Sequence, residues 1–228
     1  MKFITITILN LLCLSVAQAT FVQISSPDAG YISATTLIPI PGALGSTVGS
    51  LNNAFQSIDV AVFGQHAKVG SSWGTWSSPP DSETSTPDLI CVAAIPCDST
   101  TGSSNTFALT AAAAIFGFEL EPQGFGTYAV SASFFNGATL LGTVTRNVSG
   151  TSGARLFAGQ SDIPITSVQL AVDPAAGGYG VAQFRYALAV DDPGTSTPEP
   201  STGVLFGLSA GLLGTCVFLK QKRGSVSH

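Results

Sequence analysis

The sequence predicts an all-β protein, a β-sandwich ectodomain set between two terminal hydrophobic segments. Three observations predict it. Runs in the second half alternate apolar and polar residues with a period of two, as strands with one buried face do. Short Gly-, Asn- and Ser-containing turn signals separate those runs, with no convincing amphipathic helix between them. Charged residues make up only 9% of the chain, and Ser, Thr, Gly and Ala take their place.

The N-terminal end reads as a secretory signal peptide over residues 1–19. Lys2 supplies the positive charge, residues 3–16 are largely apolar, and Ala17-Gln18-Ala19 has the small-x-small form expected before cleavage. The mature chain is expected to begin near Thr20. Cys13 follows Leu11-Leu12 rather than a small residue, which argues against a lipidated start.

Strands are expected at residues 21–25, 58–63 and 89–95. Residues 71–87, rich in Ser, Pro and Thr, read as a long surface loop. Cys91 and Cys97 are the only thiols outside the two terminal segments, which hold Cys13 and Cys216. In an oxidising exterior a disulfide closing this short loop is expected. The alternative is a redox or metal pair, but a four-ligand structural zinc site would need thiols that this domain lacks.

Residues 111–114 are helical by propensity, yet they run into Ile115-Phe116-Gly117-Phe118-Glu119-Leu120, which alternates, so the whole stretch reads as strand. In residues 127–135, Tyr128, Val130, Ala132 and Phe134 share one face. In residues 165–172, Val168, Leu170 and Val172 do the same. In residues 181–190 the apolar face is Phe184, Tyr186, Leu188 and Val190. Turn signals stand between them at Pro122-Gln123-Gly124, Asn136-Gly137, Ser149–Gly153 and Ala176-Gly177-Gly178.

The segment 20–192 is one domain of ordinary length. Its basic residues are only Lys68, Arg146, Arg155 and Arg185, against about a dozen Asp and Glu. Nucleic acid needs a basic footprint, so it is excluded as a partner.

A Pro/Thr/Ser linker at 193–202 contains Thr197-Pro198-Glu199-Pro200-Ser201. An uncharged apolar run follows at 203–219, then Lys220-Gln221-Lys222-Arg223 within a tail at 220–228. The run approaches the roughly 20 residues that cross a bilayer core as a helix. The basic cluster behind it marks the cytoplasmic side, with Lys220, Lys222 and Arg223 as the stop. Pro198 and Pro200 keep the Glu199 region extended. A Pro-Glu-Pro triplet, a hydrophobic stretch and a basic end, in that order, resemble the sorting signal of PEP-CTERM proteins. The resemblance implies that an exosortase reads Pro198, Glu199 and Pro200 and removes the tail. It also implies that the precursor sits in the inner membrane, in an envelope associated with exopolysaccharide. An uncut C-terminal anchor is the alternative. The strings Phe116–Leu120, Gly142-Thr143-Val144, Leu156-Phe157-Ala158-Gly159 and Pro164–Val168 further resemble the jelly-roll-like β domains of that family, which implies a surface sandwich without an assigned activity.

Three places could carry chemistry. His66 is the single histidine of the domain, so a Ser-His-Asp triad would have to use it, and no nucleophile-elbow motif surrounds any serine. Glu119 and Glu121 are two apart on a strand and face the same way. Paired carboxylates serve glycoside hydrolysis or calcium, but the expected reading is a solvated outer face, because Phe116, Phe118 and Leu120 take the inner one. Trp73 and Trp76, in Ser-Trp-Gly-Thr-Trp-Ser, are either rings packed against the sandwich, the preferred reading, or stacking platforms for sugar rings.

These readings combine into a non-enzymatic structural or adhesive protein of the cell surface or matrix, associated with exopolysaccharide, with no cofactor and no metal. The alternative is a carbohydrate-binding module using Trp73 and Trp76. A secreted glycoside hydrolase is the third reading.

Overall fold

The structure, a computed structural model, describes residues 20–53, 56–60, 64–92 and 104–189. Ala17, Ala19, Cys97, Pro198, Glu199, Pro200, the apolar segment 203–219 and Lys220, Lys222 and Arg223 lie outside the described residues. Among the described residues no helix is long and apolar enough to cross a membrane.

The elements run β1 (Phe21–Ile24), α1 (Ala29–Ala34), β2 (Thr36–Leu37), β3 (Ser50–Asn52), β4 (Ser57–Val60), β5 (Gln65–Lys68), β6 (Asp88–Cys91), β7 (Ser104–Pro122), β8 (Thr127–Asn136), β9 (Thr139–Ser149), β10 (Arg155–Val172), a 3-10 turn at Pro174–Ala176, and β11 (Tyr179–Leu188). All the strands belong to one hydrogen-bonded antiparallel sheet. Its two long strands, β7 and β10, make it a two-layer structure. Residues 113–122 of β7 and 155–160 of β10 sit in a first layer ordered β5-β6-β11-β7-β10-β1. Residues 104–109 of β7 and 165–172 of β10 sit in a second, ordered β3-β4-β7-β10-β8-β9.

Each long strand passes from one layer to the other through a break in register. In β10 the break falls between Gln160 and Ile165. Pro164 stands there, a residue with no N–H to give to a ladder. In β7 the break falls among small alanines, and the buried amide of Gln56 fills it. Gln56 Nε2 donates to the Ala111 carbonyl at 2.6 Å, and the Ala111 N–H donates to Gln56 Oε1 at 2.9 Å. One side chain thus satisfies both backbone groups that the bulge takes out of the ladder.

The core lies between the layers. Phe107 of the second layer meets Phe118 and Phe184 of the first edge-on, at 5.1 and 5.5 Å between ring centres. The alternation expected for β8 and for the end of β10 is present: Val130, Ala132, Phe134, Val168, Leu170 and Val172 are all buried. Residues 111–114 are strand, as expected. In β11 the alternation changes phase. Tyr179 and Val181 enter the core, then a bulge at Gln183 passes the inward face to Phe184 and Tyr186. Leu188, expected on that buried face, is exposed, because a second register shift separates it from Ala187.

The outer face of the first layer is not open. The expected surface loop at 71–87 instead closes over it and buries Trp73, Trp76, Ser77 and Ser82. The reason is polar as well as apolar. The segment brings hydrogen-bond donors to carboxylates that β7 points outward.

Candidate functional site

β7 sends Phe116, Phe118 and Leu120 into the core and Glu119 and Glu121 to the opposite side, as a period of two requires. That opposite side was expected to be solvated, and here the expectation fails. Both carboxylates are fully buried beneath the 71–87 segment. Trp76 donates its indole N–H to Glu119 Oε2 at 3.0 Å, and the Glu83 backbone N–H donates to Oε1 at 2.7 Å. Glu121 Oε1 accepts from the Thr75 hydroxyl at 2.8 Å and from the Gly153 N–H at 3.4 Å, while Trp73 Nε1 approaches Oε2 at 3.5 Å. Burial pushes the Glu119 carboxyl up to about 7, against the donated hydrogen bonds that favour its ionised form. Burial pushes Glu121 upward too, opposed first by the Thr75 hydroxyl.

A largely covered ion pair continues the clamp. Arg185 of β11 donates from Nε to Glu83 Oε1 at 2.6 Å and from Nη1 to the Thr35 carbonyl at 3.1 Å, at the end of α1. Asp28 caps that helix by accepting from the Tyr31 N–H. Tyr31 lies buried against the sheet, and its desolvated phenol is held far above its ordinary range. Strand, segment and helix are therefore tied by one polar layer. Closed in this way, the two carboxylates are a structural clamp, with no open face to offer a glycosidic bond.

The tryptophans follow from the same geometry. Trp76 is 4% exposed and Trp73 8%, so neither offers a free ring face as a stacking platform. Both are packed, and their polar ends find partners on β7, as buried indoles require. His66 is buried as well. Its Nδ1–H donates to the Gly42 carbonyl at 2.9 Å, and Nε2 faces Asp88 Oδ1 at 3.4 Å. Cys91 is disulfide-bonded. Among the described residues no cluster of His, Cys, Asp or Glu could hold a metal ion.

An open feature does stand beside the clamp. The β7–β8 hairpin turns through Gln123-Gly124-Phe125-Gly126 and is pinned at its base. Gln123 N–H donates to the Gly178 carbonyl, Gly124 N–H to Ala176 and Gly150 N–H to Gly126, each at 2.9 Å. Gly150 must be glycine, since a Cβ there would collide with the Gly124 carbonyl. The pinned tip holds Phe125 88% exposed, more than any other large apolar side chain among the described residues. At its foot lies a groove of about 210 Å³, lined by Ser72, the edge of Trp73, Gly74, Thr75, Gln123 and Phe125. The hint of this site in the sequence is the Gly124-Phe125-Gly126 string, an aromatic ring in a tight turn.

No protein-family model matches the chain, and no curated protein matches it. Similar solved structures include a carbohydrate-binding module of family 29, at 9% sequence identity over 67% of this chain and 88% of that one, with a TM-score of 0.31. A single-site mutant of such a module aligns over 74% of this chain and 91% of its own, at 10% identity and a TM-score of 0.31.

Proposed function

We propose that this chain is an exported, non-enzymatic protein of the cell surface or extracellular matrix, and that it binds polysaccharide through the Phe125 groove on a jelly-roll-like sandwich. The observation that carries the reading is the solvent-facing Phe125 ring, on a turn whose backbone is pinned, beside a groove of hydroxyl, amide and backbone groups. Sugar rings offer an apolar C–H face and a polar rim, and such a groove meets both. Its 210 Å³ is below the roughly 300–1,000 Å³ of small-molecule sites, which suits one unit of a longer chain. The stacking role weighed for Trp73 and Trp76 passes to Phe125, with the Trp73 edge as one wall. The net charge of −5 disfavours polyanions and leaves neutral glycans as the fitting class.

The address is read from the ends of the chain. Residues 1–19 direct export, the segment 203–219 holds the precursor in the inner membrane, and an exosortase cuts near Pro198, Glu199 and Pro200.

Affinity electrophoresis through gels containing exopolysaccharide from the native cells tests the binding. The full chain is expected to be retarded, and Phe125→Ala is expected to migrate freely with its thermal midpoint unchanged. Equal retardation of the two would remove the reading. Intact-mass spectrometry of the protein from native cells and medium tests the address. A species beginning near Thr20 and ending near Pro200 supports it, whereas a membrane-bound species that keeps Lys220, Lys222 and Arg223 makes the tail a permanent anchor.

A further inference from the structure

A second cleft opens at the other end of the clamped segment. It encloses about 300 Å³ and is lined by Pro39, Ile40, Thr84, Thr86, Asp88 and Gln183, a volume at the lower bound of ligand sites, roughly 300–1,000 Å³. Gln183 is its unusual member. It occupies the bulge of β11 with φ at 52°, in the left-handed region that costs free energy for any residue with a Cβ. The bulge itself serves the core, because it lets Val181 and Phe184 both point inward. A glycine would make that bulge without strain. Glutamine gains the core nothing over glycine, but it is one of the residues that line the cleft, and bulges commonly re-aim a side chain in this way. No hydrogen bond to a described residue occupies the Gln183 amide.

Asp88 completes the polar wall. Lys68 Nζ, at 3.6 Å, and His66 Nε2, at 3.4 Å, both meet its Oδ1, which leaves Oδ2 to accept. The lining thus combines a carboxylate, an amide and two threonines with the apolar Pro39 and Ile40. That set suits vicinal hydroxyls above a C–H face.

The geometry points to a second glycan subsite here, for a neutral hexose unit, with Gln183 as its orienting hydrogen-bond partner. The inference rests on the carbohydrate-binding reading and deepens it. Both clefts are lined in part by the 71–87 segment, and where one polymer reaches both, the second contact is intramolecular.

The test compares the full chain, Gln183→Gly, Gln183→Ala and Phe125→Ala by affinity electrophoresis in gels of native exopolysaccharide, with hydroxyethylcellulose as an uncharged probe. Both Gln183 variants are expected to weaken retardation about fivefold, the loss of one good hydrogen bond. Gln183→Gly is expected to melt at or above the parent and above Gln183→Ala, because it alone relieves the strain, so weaker binding in a variant at least as stable as the parent cannot be misfolding. If the Gln183 variants bind like the parent while Phe125→Ala does not, the second subsite is overturned and the Phe125 reading stands. If the Gln183 variants weaken and Phe125→Ala does not, the cleft stands and the Phe125 groove falls. Unaltered retardation of all three, or none for the parent chain in either gel, overturns both.

Discussion

The indole N–H of Trp76 meets Glu119 Oε2 at 3.0 Å beneath a segment without regular structure, and both residues are buried. This contact turns 71–87 from a loop into a cover. Trp76→Phe keeps most of the ring but removes the donor from a buried carboxyl, and is expected to cost about 1–3 kcal/mol. Trp76→Ala also empties the site and is expected to cost about 3–5 kcal/mol. Urea denaturation of the two variants checks the order. Equal small losses would mean that the segment is not held by this ring.

The same carboxyl makes stability depend on pH. Burial raises Glu119 from 4.5 to about 7. Between those values the folded chain holds a proton that the unfolded chain has released, so the contribution of this group is fully present below about pH 4.5, falls as pH rises, and is lost above about 7. A shift of this size corresponds to about 3 kcal/mol. Glu121, shifted in the same direction, steepens the fall. Urea midpoints measured from about pH 5 to about pH 8 should show it. Glu119→Gln, which cannot titrate, is expected to flatten the curve, and an unchanged slope in that variant would place the effect elsewhere.

Gln56 gives a third expectation. Its amide serves both the N–H and the carbonyl of Ala111. Gln56→Leu fills similar space yet leaves two buried backbone groups unpaired, at about 1–3 kcal/mol each. The loss should appear in chemical denaturation and in faster amide exchange at Ala111. A stability equal to that of the parent would show that water satisfies the bulge as well as the side chain does.

Much of the fold was legible because alternation reports burial directly. Phe116, Phe118, Leu120, Val130, Ala132, Phe134, Val168 and Leu170 declared their faces, and tertiary packing agreed with them. Alternation failed where strands change register. A bulge inserts one residue and inverts the phase, so neither the turn of the inward face at Gln183 nor the exposure of Leu188 could be read from the pattern. It also failed for Glu119 and Glu121, since a period of two says which residues share a face and not what covers that face.

The sequence by itself determined the all-β class and the alternating faces of β8, of the second halves of β7 and β10, and of part of β11, because each depends on composition and local period. Only the tertiary structure decided that the tryptophans are partners of buried carboxylates, that the Ser- and Pro-rich segment is a cover, and that Phe125 and Gln183 stand at two open clefts. Those outcomes rest on contacts between residues tens of positions apart, such as Trp76 with Glu119 and Thr75 with Glu121. Such pairings are set by how the 71–87 segment lies across the outer face of the first layer, and no local window of sequence encodes that placement.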